Sequence, residues 1–421
     1  MPIKAFKKIA ILVMLLLEAN QGLAQDNQFL ANRRSILPGS RASQMGGAYT
    51  SLSEDVSGIF YNPAGMVFGK PQDISVSTNG YSERSIRYKG TVGDSDFDEK
   101  STGLFPSLLG GSLEWKSFSF GWALITLDSQ SFNQNDRFQN ISTVENQASS
   151  FNITHQQTSQ YQLAGTGGGI KFGKSFSIGG SLFAYRRTLE STTHQTVTFN
   201  GGTIFVIDQK IDTENLGVMF QGGLQWRGDS LNFGMLYRSY RSTKDHTLVS
   251  TDTFTYEDGL VPTGTLTSTQ GETQLFDELD PDIVKIGFSY GSKIFTSSFD
   301  IIYYSAARNN VTSNLAVVLE ENLNYSIGTE LILGSFVTRI GAFTNYSLFP
   351  EVKTGDIDQG HHIDFIGSSL GFGLKSKSSE TNVGVVWQKG EGKAQKIQGS
   401  LEIQDVEANS LLIMLGSDYK F

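Results

Sequence analysis

The sequence predicts an all-β protein: a transmembrane antiparallel β-barrel of about 14 strands with an N-terminal lumenal hatch of short helices. Three observations carry this prediction: composition, alternation of apolar with small or polar residues, and a rhythm of short and long connections. The chain has 421 residues, with 46 Gly, 8 Pro, no Cys, 29 Phe and 15 Tyr. Hydrophobic residues make up 38%, against a usual ~45–50%. The body of the chain lacks the runs of ~20 apolar residues that membrane helices need. Scarce Pro and the absence of a Gly-X-Y period exclude collagen and Pro-rich disorder. The absence of Cys excludes a disulfide scaffold.

Residues Met1–Ala24 read as a secretory signal peptide. Lys4, Lys7 and Lys8 form a basic start, Ile9–Leu17 an apolar stretch too short to span a bilayer, and Gly22-Leu23-Ala24 a small-residue cleavage site. Removing it takes away three Lys and one Glu, moving the net charge from −9 to −11. An acidic chain is a poor partner for nucleic acid. Export without Cys suits the periplasm or the cell surface.

Residues 25–71 do not alternate and are expected to form a compact hatch or plug, too polar to face lipid. Ser51 and Glu54 have capping-box spacing, Glu54 and Asp55 suit a first helical turn, and Asn62-Pro63 ends it, because the residue before Pro avoids the α region. Residues 72–421 are assigned to the barrel. Phe118-Ser-Phe-Gly-Trp, Val284-Lys-Ile-Gly-Phe-Ser-Tyr290, Leu370-Gly-Phe-Gly-Leu374 and Leu411–Phe421 alternate with the period of a strand. Tight turns are expected at 116–117, 173–175, 228–229, 292–293, 334–335 and 376–379. Seven long polar loops are expected at about 90–104, 129–156, 191–210, 243–278, 305–322, 348–363 and 389–404. Thirteen connections make fourteen strands, with short turns on one side and long loops on the other, as in outer-membrane barrels. The barrel has roughly 25 residues per strand, against the ~9–11 that cross a membrane, so the strands should project well outside.

Turn arithmetic predicts facing pairs: Trp115 with Phe118, Leu113 with Phe120, Trp226 with Leu231, Leu224 with Phe233, Tyr290 with Phe295, and Ile286 with Phe299. Trp115, Trp226, Tyr290, Phe295, Tyr419 and Phe421 then fall near one rim, forming an interfacial aromatic girdle.

Arg41-Ala42, Met45-Gly-Gly-Ala48, Ser53-Glu-Asp55 and Phe60-Tyr-Asn-Pro-Ala-Gly65 resemble the start of FadL/TodX-type outer-membrane transport proteins. Phe105-Pro106, Asp280-Pro-Asp282, Arg339-Ile-Gly-Ala342 and the terminal aromatic extend the resemblance over most of the chain. The resemblance implies a 14-stranded barrel with a lumenal hatch, and passage of hydrophobic compounds such as long-chain fatty acids or aromatic hydrocarbons. It further implies that the substrate leaves sideways through the wall into outer-membrane lipid. It marks Gly46, Gly47, Asn62, Pro63, Ala64 and Gly65 as hatch and gating residues.

Strand phase turns Phe183, Tyr185, Arg187, Leu236 and Arg238 inward. A fatty acid needs a cation for its carboxylate and apolar walls for its tail. Arg238 and Arg187 with Phe183, Tyr185 and Leu236 meet that need and are the ligand-binding candidates. Glu330 and Arg339, equidistant from the 334–335 turn, should face each other in the lumen. Enzyme chemistry lacks support. His155, His194, His246, His361 and His362 all fall in or beside long loops, and no nucleophile–His arrangement sits on a predicted wall. Asp94-x-Asp96-x-Asp98 lacks the Gly and the final Glu of a calcium loop. No cofactor and no metal is expected. A second reading is a non-transporting barrel whose Asn-, Gln- and Ser-rich loops, such as 129–157, hold a secreted protein at the cell surface.

Overall fold

The computed structural model describes residues 31–69, 72–92, 95–142, 147–199, 202–257, 261–262, 267–273, 279–309, 317–356, 359–396 and 401–420. The expected signal peptide, Phe421 and Asp94 lie outside the described residues.

Fourteen antiparallel strands form a closed ring. They are β1 (Gln72–Val92), β2 (Ser95–Trp115), β3 (Phe118–Ser142), β4 (Gln147–Phe172), β5 (Phe176–Phe199), β6 (Ile204–Arg227) and β7 (Leu231–Glu257), then β8 (Ile283–Gly291), β9 (Phe295–Tyr304), β10 (Asn322–Leu333), β11 (Phe336–Asn345), β12 (His362–Lys375), β13 (Ser379–Ala394) and β14 (Gln404–Lys420). Each pairs with its sequence neighbours, and β14 closes on β1 with Ile74 opposite Tyr419. Closure leaves no bare edge, which is what lets strands sit in lipid. The short segment Thr267–Thr273 folds back on β7, and Ala307–Arg308 pairs with Val318–Leu319.

Along β5 the outward residues Phe176, Ile178, Gly180, Leu182 and Ala184 are apolar, and the next, Arg186, pairs with Glu214. This stretch matches the ~9–11 residues of a membrane crossing. Neighbouring strands continue the belt with Trp115, Leu224, Trp226, Tyr290, Phe336 and Phe372, all exposed. Such a continuous apolar outer surface is incompatible with a soluble monomer. The molecule is built as an outer-membrane barrel.

Three expectations need correction. The strands run through most of the ranges expected as long loops: β3 reaches Ser142, β4 begins at Gln147, and β5 reaches Phe199. Above the belt the outward residues turn polar while the inward ones mix polar with apolar, so alternation weakens in the sequence while the ladder persists; Thr154 faces His194 and Gln157 faces Ser191. His155, His194 and His246 therefore stand on strands rather than in loops. Secondly, the 116–117 hairpin has the predicted register, with Trp115 opposite Phe118, but the connections at 228 and 292 are longer than two residues. Gly228 N donates to Leu231 O at 2.9 Å, and Trp226 faces Phe233, Leu224 faces Met235. Likewise Tyr290 faces Ser297 and Ile286 faces Ile301. Each shift is two residues, so inward and outward faces are preserved. Thirdly, Ser51 and Glu54 cap nothing. Helix α2 (Gly58–Tyr61) starts later, and Asp55 accepts bonds from Ser57 N and Oγ at 2.9 and 2.6 Å. Asn62 does end it, in an extended conformation.

Residues 31–69 lie inside the ring: α1 (Ser40–Gln44), α2 and a 3-10 turn, Pro63–Phe68. Glycines on the wall make room. A Cβ on Gly341 would stand 2.3 Å from Gly46 N, and one on Gly179 would stand 2.4 Å from Ala64 N. Gly46 itself has φ +63°, which a side chain would strain.

Candidate functional site

Charged side chains tie the hatch to the wall. Glu330 and Arg339 are opposite each other, as their distance from the turn predicts, with Arg339 Nε 2.6 Å from Glu330 Oε2. The pair belongs to a larger chain. Arg339 also meets Glu380, Arg41 reaches Glu330 at 2.9 Å and Glu54 at 3.1 Å, and Arg227 reaches Glu54 at 3.0 Å. Asp300 on β9 accepts from Tyr49 N and Thr50 N, both at 2.9 Å, and from Thr50 Oγ1 at 2.7 Å. The residues marked for gating sit at these contacts. Gly46 O accepts from Arg34 at 3.0 Å, and Gly47 has φ +75°. Asn62 Nδ2 donates to Thr50 O and Leu224 O at 2.9 and 3.0 Å. Pro63 opens the 3-10 turn, Ala64 O accepts from Ser177 Oγ at 2.6 Å, and a Cβ on Gly65 would stand 2.6 Å from Ser53 O.

The five ligand-binding candidates all point inward and are buried, but they form two groups. Arg187 stands 4.6 Å from the Tyr161 ring and pairs with Asp280 at 2.9 Å; Arg33 of the hatch meets the same carboxylate at 2.7 Å. Burial would raise the Asp280 pKa, but the two guanidinium groups hold it below the ordinary carboxylate range. Tyr185 packs edge-on against Tyr161 and Tyr240, and Phe183 joins the same cluster with Tyr61. Arg238 sits over the Phe60 ring at 4.0 Å, donates to Gln221 Oε1 at 2.9 Å and also bonds Phe60 O. Leu236 is fully buried and lies opposite Lys285 in the β7–β8 ladder. Both arginines are thus already engaged by the protein.

Lys285 is the residue that sequence reasoning missed. It lies in the quoted alternation Val284–Tyr290, and its inward phase was the available signal. It shares a cavity with Arg238, Arg34, Phe60, Tyr61 and Tyr304. Its ammonium has no hydrogen bond or ion pair among the described residues; it stands 5.3 Å from the Tyr61 ring and 5.8 Å from that of Phe60. Arg238 and Arg34 share its cavity and Asp300 lies within electrostatic reach, so an anionic headgroup entering there would meet three basic side chains.

Among the described residues, a seam lies in the wall between β2 and β3. β2 and β3 pair at Ser101–Phe132 and again from Leu108–Ile125 onward, with no pairing described between 102–107 and 126–131. Pro106, which has no N–H to donate, lies in the seam, as does the strongly exposed Leu104. The seam residues Thr102, Phe105 and Ser129 line a second cavity, which shares Ile36 of the hatch with the Lys285 cavity.

A closed 14-stranded membrane barrel with its N-terminal segment folded into the lumen defines the class of protein. Solved structures share that fold. A Pseudomonas aeruginosa FadL homologue is 12% identical, with 93% of this chain and 100% of that chain covered at a TM-score of 0.60. The Pseudomonas putida toluene transporter TodX gives the same identity, coverage and score. The Ralstonia pickettii toluene transporter TbuX is 11% identical, with 92% and 99% covered at 0.57. No protein-family model and no curated protein sequence matches the chain.

Proposed function

We propose that this protein is a passive outer-membrane channel for small hydrophobic or amphipathic molecules, fatty acids or hydrocarbons among them. The ligand binds in the lumen and leaves sideways through the β2–β3 seam into the outer-membrane lipid. The observation carrying this reading is the seam itself: an unpaired stretch of a closed wall at the edge of the apolar belt, opening on a cavity that touches the hatch. The toluene transporters named above have the same fold, which supports the substrate class. Lys285 and Arg238 among the rings of Phe60, Tyr61 and Tyr304 suit a ligand with a negative end and a greasy body. Arg187, paired through Nη2 with Asp280 beside Arg33, is better read as a structural anchor than as a ligand contact.

The seam can be stapled, because the chain contains no native Cys. Phe105→Cys and Ser129→Cys place one thiol on each side of it, both facing the same cavity. Oxidation should abolish uptake of radiolabelled toluene or oleate by cells expressing the protein, and reduction should restore it. Undiminished uptake by the oxidised, mass-verified form would refute lateral release.

A further inference from the structure

A second polar site lies across the lumen from Lys285. Arg84 on β1 is buried, 8% exposed, at the junction of two overlapping cavities. Among the described residues its guanidinium has no hydrogen bond and no ion pair. Its Nε is fully buried without a partner, and its one ring contact is Phe365 at 5.8 Å. Two carboxylates stand nearby, and both are engaged by other groups. Asp128 accepts from Ser159 Oγ at 2.6 Å and from Gln130 Nε2 at 2.8 Å. Glu99 pairs with Lys396 at 2.6 Å. A buried guanidinium left without an acceptor is costly, unless the space in front of it receives an anion.

The surroundings describe that anion. Ser101 and Ser129 supply hydroxyl groups and Gln130 an amide, while Phe105 and Phe365 supply flat apolar faces; the Gln388 amide is already bonded to Ser35 O and Asn345. A planar, bidentate oxyanion is what a guanidinium binds best. The polar lining accepts further oxygens on the ligand, which a pure hydrocarbon lacks. We propose that the Arg84 chamber binds the carboxylate of a small organic acid that also carries a hydroxyl group on an aromatic or short apolar body. The chamber borders the β2–β3 seam, so this inference rests on the channel reading and adds a selectivity for oxygenated acids.

The test uses the full chain in detergent micelles, titrated calorimetrically with 4-hydroxybenzoate, benzoate and the uncharged 4-hydroxybenzyl alcohol. The wild type should bind 4-hydroxybenzoate at least tenfold tighter than the alcohol. Arg84→Gln should erase that ratio, and Arg84→Lys should recover part of it. Heat-dependent gel migration reports whether each variant is folded. Gln130→Leu gives an independent reading, because it should narrow the preference for 4-hydroxybenzoate over benzoate. A wild type with no preference for the acid, or a ratio that survives Arg84→Gln, would overturn the inference. The channel reading fails on a different result, undiminished toluene uptake through a stapled seam.

Discussion

Two side chains set the chemistry of the lumen in opposite ways. Lys285 is buried against rings beside the guanidinium groups of Arg34 and Arg238, with Asp300 as the nearby anion but no direct ion pair among the described residues, whereas Asp280 is buried between two cations. Replacing Lys285 with Gln should weaken oleate binding by roughly tenfold or more, the size of a lost charge-assisted bond, and leave toluene binding nearly unchanged. Tryptophan-fluorescence titration of the two ligands distinguishes these outcomes. Asp280→Asn removes the carboxylate that two buried guanidinium groups share and should cost about 3–5 kcal/mol, read as a lower urea midpoint. The pH dependence follows from the lowered pKa of Asp280. Its contribution is fully present above the ordinary carboxylate range, and fades below about pH 4 as the pH falls through the folded-state value. The wild-type midpoint should drop in that acid window more steeply than that of Asp280→Asn. Glu330 opposite Arg339 was legible from turn arithmetic alone. Arg33, Arg187 and Asp280 come from three distant segments, and nothing local announces their meeting.

At the scale of elements, the contact between α1 and β11 depends on missing side chains. Gly341→Val would drive two methyl groups into the Met45–Gly46 backbone. Displacement of α1 should raise ion conductance in planar bilayers and cost about 1–3 kcal/mol from overpacking. Gly222→Val is the matching control, since its Cβ meets no atom within 4 Å and adds to the lipid-facing surface; neither conductance nor stability should fall. The inward and outward faces of the strands were readable because period two survives any even shift in register. The turn lengths at 228 and 292 were not, since a tight and a slightly longer connection leave the same face pattern. Strand ends were the least legible feature. Above the belt, water accepts polar residues on the outside and the lumen accepts a mixture of polar and apolar ones on the inside, so little contrast marks where the ladder stops.

For the whole molecule, the ring and its filling explain why fourteen strands were countable while the extent of the wall was not. The count depends on turns, which have their own residue chemistry. The β2–β3 seam depends on pairs not made, which composition does not encode. The apolar belt predicts strict dependence on an amphiphile. Transfer of the purified protein from micelles to detergent-free buffer should produce aggregation, seen by light scattering, whereas bilayer nanodiscs should keep it monodisperse.

The position of the hatch has a consequence for biogenesis. Residues 31–69 precede β1 in the chain, yet they end up surrounded by a wall whose last seam joins β1 to β14. Hydrogen bonds tie that segment to strands on several sides of the ring, so threading it into a finished cylinder would mean making all of them from one end. The order this favours has the plug gather against a still-open, curved sheet, with the two terminal strands meeting once it is inside; a variant lacking residues 31–69 should then fold and insert more slowly, read by heat-dependent gel migration over time. In this order the hatch acts as a mould around which the cylinder closes, and a chain that lost it would have to find its circumference unaided.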